Sequence, residues 1–252
     1  MRESIIRIRD VKKIYQMGSE QIHAIDGISM NIYQGEVCCL LGKSGSGKST
    51  LLNLIAGLEK PTEGKIIFHK KHIERMDEDQ LADFRRQYVG FVFQSYNLLP
   101  TLTALENVTL PLIFKGIPKK EREERAMEML KAVGLEEAAD KYPAEISGGM
   151  VKRAGLARAI VRKADAVLYD EPTSGLDPVT AQNIHRLIRK VNDERRLTSV
   201  VVTHDLAGSC SFADRIMMLK DGRVVLVAKP QEFMRSEIPE VRDLVSASKG
   251  EI

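Results

Sequence analysis

Ile6-Arg7-Ile8-Arg9 alternates apolar and polar positions, the period of a strand buried on one face. Residues 5–36 read as short strands and turns, ending in the Gln34-Gly35-Glu36 turn. Val37-Cys38-Cys39-Leu40-Leu41 is apolar throughout, as in a sheet covered on both faces. A glycine-rich loop follows, then an apolar helix from about Ser49 to Ile55. From about Tyr96 to Lys163 the pattern turns helical. Pro118 opens one helix with Ala126, Met127, Leu130 and Val133 on a shared face, and Gly134 ends it. Ala166–Tyr169 is again a strand. Asp177-Pro178 caps and opens a helix whose Ile184, Leu187, Ile188 and Val191 share a face. Ser199–Val202 is a buried strand, and the Asp221-Gly222 turn joins a hairpin. From Pro230 the chain reads as a helical tail. The pattern predicts an α/β fold: a core of residues 1–95 and 164–229 including a β subdomain, an inserted helical subdomain at 96–163, and a tail at 230–252.

Composition narrows the class. The chain has 252 residues, 43% apolar and 29% charged, ordinary for a soluble globular protein. No apolar stretch approaches the roughly 20 residues of a membrane helix. Met1-Arg2-Glu3-Ser4 leads straight into a strand, so no signal peptide is expected. A net charge of +3 argues against a nucleic-acid partner. Cys38, Cys39 and Cys210 have no metal or disulfide spacing, and the chain is expected to be cytoplasmic.

The chemistry sits in two places. Gly42-Lys43-Ser44-Gly45-Ser46-Gly47-Lys48-Ser49-Thr50 matches the P-loop pattern. Its glycines let backbone N–H groups face phosphate oxygens, and the following helix adds its positive dipole end. Lys48 supplies a charge to the β- and γ-phosphates of ATP, and the Ser49 hydroxyl ligates Mg²⁺. Ala166–Glu171 is a strand ending in two acids. Placed beside the P-loop strand, it would bring Asp170 to the Mg²⁺ and leave Glu171 as general base for the attacking water. Alone, two such acids read more often as a solvated turn; the P-loop upstream favours the metal reading.

Ile146-Ser147-Gly148-Gly149-Met150, with the helix to Ile160, then resembles the signature motif of ABC ATPases. The resemblance covers nearly the whole chain. It implies a P-loop NTPase (RecA-like) core with an antiparallel β subdomain and the helical insertion. It also implies a homodimer in which Ser147, Gly148 and Gly149 bind the γ-phosphate held by the opposite subunit. Tyr15 matches the aromatic that stacks on adenine, and Gln94 the glutamine that senses Mg²⁺ and water. Ser174-Gly175-Leu176-Asp177 matches the loop crossing the dimer interface, and His204 the switch histidine at the γ-phosphate. Met150 and Ile146 depart from the usual glutamine and leucine. Gly155 interrupts the signature helix at a cost of about 1 kcal/mol in propensity.

Ser44 to Leu112 resembles the lipoprotein-releasing and macrolide-efflux branch. Tyr142 to Ile160, with Met150, and Ile238-Pro239-Glu240-Val241-Arg242-Asp243-Leu244-Val245 resemble Mla/Mce-type phospholipid-transporter ATPases. The second resemblance implies separate transmembrane permease subunits, an MCE lipid-binding protein, and a peripheral place on the cytoplasmic face of a bacterial inner membrane. A non-transporting cell-division ATPase, a soluble ABC protein and a P-loop kinase are the other classes. The cluster Lys152, Arg153, Arg158, Arg162 and Lys163 reads as a solvated helix face, with an anionic partner as the alternative.

Overall fold

The computed structural model describes residues 3–249. Met1, Arg2 and the last three tail residues lie outside the described residues. Residues 4–33 form one long hairpin, not several short strands. β1 (Ser4–Met17) pairs antiparallel with β2 (Glu20–Tyr33), and the register shifts along the pair. One shift, between Ile8 and Val11, includes Asp10 at φ 48°. Each bulge restarts the alternation, so a continuous strand reads in sequence as separate pieces.

β3 (Val37–Leu41) leads into α1 (Lys48–Ile55), and β4 (Glu63–Phe68) and β5 (Lys71–His72) complete an antiparallel sheet of order β2-β1-β4-β5. Then come α2 (Glu78–Tyr88), β6 (Val89–Val92), α3 (Ala104–Ile113), α4 (Lys119–Ala132) and α5 (Gly148–Ile160). The chain continues through β7 (Ala166–Asp170), α6 (Pro178–Arg195), β8 (Thr198–Val202), α7 (Leu206–Phe212), β9 (Arg215–Lys220) and β10 (Arg223–Ala228). It closes with α8 (Pro230–Met234) and α9 (Pro239–Lys249), which place Phe233, Val241 and Val245 in the core.

The larger sheet has the order β10-β9-β3-β8-β7-β6 and is parallel except for β10. Alternate β3 residues serve opposite cores. Cys38 and Leu40 join the α1 leucines and β1 isoleucines; Val37, Cys39 and Leu41 join α5–α7. Burial pushes the Cys39 thiol up to about 12, so it stays protonated and inert. β7 does not lie beside β3; β8 runs between them. Both β7 and β8 carry apolar runs, Ala166–Leu168 and Val200–Val202, so the pattern fixes their burial but not their order.

α3, α4 and α5 are inserted between β6 and β7. Pro118 caps α4, and Gly134 follows its end at φ 66°. The basic cluster of α5 and the residues just after it departs from the sequence expectation. Arg153 donates to the carbonyls of Val133 and Gly134 at 3.0 and 2.9 Å. Arg158 donates to Tyr96 and Asn97, Arg162 to Arg86 and Val89, and Lys152 to Ser174. These cations satisfy carbonyls that chain ends and turns leave open, so they are structural ties and not a freely solvated face. Lys163 alone of the cluster is exposed.

Candidate functional site

Between β3 and α1 the chain must curl tightly, and Gly47 makes that possible. It precedes α1 at φ 98°, and a Cβ there would stand 2.4 Å from the Ala24 carbonyl oxygen of β2. Glycine alone lets the loop lie against β2. Lys48 Nζ donates to the carbonyls of Gly42 and Lys43 at 2.8 and 2.9 Å, which holds the ammonium inside the loop. Burial pulls its pKa down, and the carboxylates of Glu171 and then Asp170 oppose that.

Ser49 Oγ donates to Asp170 Oδ1 at 3.1 Å. The strand beyond β8 thus still delivers Asp170 to the P-loop, because its register pairs Asp170 with Val202 at the β8 end. A hydroxyl and a carboxylate oxygen in contact at a helix N-terminus are hard donors of the kind Mg²⁺ takes, so these residues fit the ion. Glu171 follows with φ 47°, and its N–H donates to the Val202 carbonyl at 2.9 Å. Its carboxylate Oε2 lies 2.9 Å from Nδ1 of His204, just past β8. The adjacency of β7 and β8 brings this acid and histidine together.

Ser44, Gly45, Gly47, Lys48, Ser49 and Thr50 line an open cleft of about 660 Å³, which Gln94, Glu171 and His204 also face. Gln94 Nε2 donates to Ser174 Oγ at 3.4 Å. Gly42 and Ser46 lie behind the lining. The Gly42 carbonyl takes Lys48, and the Ser46 carbonyl accepts the Gly222 N–H at 3.2 Å. Tyr15 does not line the cleft; its hydroxyl donates to Glu59 Oε2 at 2.5 Å, with Lys13 Nζ 5.0 Å from its ring. Ile22, His23 and Ala24 of β2 and Asp221 of the β9–β10 turn complete the wall. Sequence reasoning missed these four. Asp221 was legible only as half of a turn, and the β2 residues carry no motif.

Ser147, Gly148, Gly149 and Asp177 lie elsewhere, in a second cleft of about 660 Å³ that shares no lining residue with the first. Ser147 Oγ caps α5 by accepting the Met150 N–H at 3.3 Å. The Asp177 carboxylate accepts the N–H groups of Val179 and Thr180 at 3.1 and 3.0 Å and caps α6. Bonds from Thr180 hold its pKa below the usual carboxylate range.

Residues 25–174 match the family model described as ABC transporter. The chain is 46% identical over 233 residues to an uncharacterized ABC transporter ATP-binding protein, MJ0796, of Methanocaldococcus jannaschii, covering 91% of this chain and 99% of that one. It is 39% identical over 221 residues to the macrolide export ATP-binding/permease protein MacB of Shigella flexneri, covering 88% of this chain but 34% of that one. Its backbone resembles the dimeric post-hydrolysis structure of the MJ0796 cassette bound to ADP and Pi, with a TM-score of 0.83. That likeness has 44% identity and covers 89% of this chain and 98% of that one. A family match across the P-loop and both acids, together with near full-length likeness to an ATP-binding cassette, means that this chain belongs to the ABC transporter family as an ATPase working on ATP with Mg²⁺.

Proposed function

We propose that two copies of the chain close over two MgATP molecules and that the closure drives a separate membrane-spanning permease. The carrying observation is the division of phosphate-binding parts between two clefts with no common residue. Each chain then offers two half-sites, and a second copy supplies Ser147, Gly148 and Gly149 to the nucleotide on the first. MJ0796 is dimeric in two solved structures, one of them bound to ADP and Pi. Lys48 holds the β- and γ-phosphates. Ser49 and Asp170 hold Mg²⁺, with Gln94 beside them; the ion, when bound, neutralises charge on the phosphate oxygens. Glu171 takes the proton of the attacking water, and His204 orients that carboxylate and meets the γ-phosphate. Tyr15, tied to Glu59 outside the cleft lining, is given no part in this reading, and Asp177 fixes the start of α6 at the interface. The helices of 96–163 turn as a unit and pass the motion to the permease near Gln94 and Tyr96–Leu105.

The cargo we propose is phospholipid, moved between bacterial membranes with an MCE protein, the ATPase sitting peripherally on the cytoplasmic face of the inner membrane. Met150 in the signature and the Ile238–Val245 ending support this reading. No helix among the described residues is long and apolar enough to cross a membrane. The likeness to MacB favours a second reading, an efflux or lipoprotein-releasing machine.

The test is to tag the chain carrying Glu171→Gln in its native cells, solubilise membranes in mild detergent with ATP, and identify what co-purifies by mass spectrometry. A multi-pass permease, an MCE protein and phospholipid are expected. A permease with a large periplasmic domain and no MCE protein would move the assignment to efflux. Absence of any membrane protein would overturn transport.

A further inference from the structure

Tyr96, Asn97 and Glu171 have φ of 58°, 42° and 47°. Side chains with a Cβ rarely take this left-handed form, and it persists where the surroundings over-determine it. For Tyr96 and Asn97 the surroundings are explicit. Arg158 of α5 forks to both carbonyls, at 2.6 Å to Tyr96 and 2.8 Å to Asn97. The turned backbone sends the Tyr96 ring inward, where it is 3% exposed, and its hydroxyl donates to the carbonyl of Pro172, next to Glu171.

The ring needs room, and Gly155 supplies it. A Cβ on Gly155 would stand 2.5 Å from Tyr96 Cδ1, which accounts for a glycine inside α5. One turn earlier, Lys152 Nζ lies 5.3 Å from the centre of the same ring and donates to the Ser174 carbonyl. Ser174 Oγ in turn accepts from Gln94. The contacts close on themselves: Gln94 to Tyr96 along the chain, Tyr96 to Pro172 by its hydroxyl, Pro172 to Ser174 along the chain, and Ser174 back to Gln94. α5 grips this ring of contacts through Gly155, Lys152 and Arg158. None of these three lines the P-loop cleft.

We propose that Tyr96 is a positioning residue for ATP hydrolysis: its ring is seated by Gly155 and Lys152, and its hydroxyl locks Gln94 and the Pro172–Ser174 segment in register with Glu171. α5 begins at Ser147, so the same tie joins the second cleft to the base in the first. The inference rests on the reading of Glu171 as base.

The test is steady-state ATPase kinetics with melting temperatures on Tyr96→Phe, Gln94→Ala, the double variant and Lys152→Met. Tyr96→Phe keeps the ring and removes one buried hydrogen bond, so kcat is expected to fall about three- to tenfold, with the KM for ATP within about twofold of wild type. In the Gln94→Ala background the same change should cost little more, because Tyr96 acts through that glutamine's placement. Lys152→Met should reproduce the loss of kcat without a matching rise in KM. A wild-type kcat in Tyr96→Phe, or losses that multiply in the double variant, would overturn the proposal. Should Tyr96→Phe not fold, Lys152→Met decides by the same kcat-against-KM criterion. Glu171→Gln run alongside separates the two readings: full turnover there removes the base assignment itself, whereas an inactive Glu171→Gln beside a fully active Tyr96→Phe removes only the tie.

Discussion

The two clefts have the same volume, about 660 Å³, and opposite chemical character. The P-loop cleft gathers an ammonium (Lys48), two carboxylates (Glu171 and Asp221) and two imidazoles (His23 and His204), with Asp170 behind them. The second cleft is bounded by the N-termini of α5 and α6. Its arginine, Arg153, is already engaged by the Val133 and Gly134 carbonyls, and its carboxylate, Asp177, is engaged by backbone N–H groups. What remains there is a pair of positive helix ends, three glycines, and the polar side chains of Thr180 and Asn183, a lining suited to holding an anion. On the proposed reading the first cleft carries out hydrolysis and the second recognises phosphate. Changes in the first should therefore stop turnover outright, and changes in the second should act only where two copies meet.

The sharpest way to break that contrast is Glu171→Gln. The amide matches the carboxylate in shape but cannot accept the water's proton, so kcat is expected to fall about 10²- to 10⁴-fold while ATP still binds. Turnover close to wild type would remove the chemistry from the first cleft. Ser147→Asp comes next in size. Aspartate caps a helix as well as serine does, so α5 and the melting temperature should hold. The added charge would meet phosphate, and turnover should drop at least about tenfold. ATP affinity of the isolated chain should stay unchanged. An equal loss of affinity in the isolated chain would mean that the clefts are not separate.

The contrast also governs what the sequence discloses. Everything in the P-loop cleft that lies on a contiguous motif is legible: Lys48 and Ser49 after Gly47, and Asp170-Glu171 after an apolar strand. Their chemistry is local, since the backbone that carries the residues also sets their geometry. The tie behind the second cleft is not local. Gly155 is a defect by helix propensity and becomes sensible only beside Tyr96. Arg153, Arg158 and Arg162 look like surface because charge usually is, yet each reaches a carbonyl 19 to 76 positions away along the chain. The order β3-β8-β7 was hidden because two strands buried along nearly their whole length are interchangeable to a burial pattern. His23 and Asp221 reach the nucleotide cleft by sheet and turn packing, which no motif records.

The smallest expected effect concerns the helix that joins the clefts. α6 starts at the second cleft, and its His185, 2% exposed, stacks on Phe212 of α7 with ring centres 4.6 Å apart and planes 14° apart. α7 in turn begins just past His204. His185 Nε2 is buried and has no hydrogen-bond partner among the described residues. Burial lowers its pKa below the ordinary 6.5, and the Asp205 carboxylate opposes this only in part. As pH falls below 6.5, the unfolded chain therefore gains a proton that the folded chain still refuses. Stability must decline through that window and level off once the folded imidazole also titrates. The carboxylates whose pKa the fold lowers, Asp26, Glu59, Asp177 and Glu240, start from ordinary values of 3.8 to 4.5 and titrate below the window. Urea midpoints taken between pH 7.5 and 5.5 should fall for the wild-type chain, and His185→Gln should flatten the decline whatever its absolute stability. An unchanged slope in that variant would mean that the α6–α7 contact tolerates a charged imidazole, and that the helix between the clefts is softer than its stacking implies.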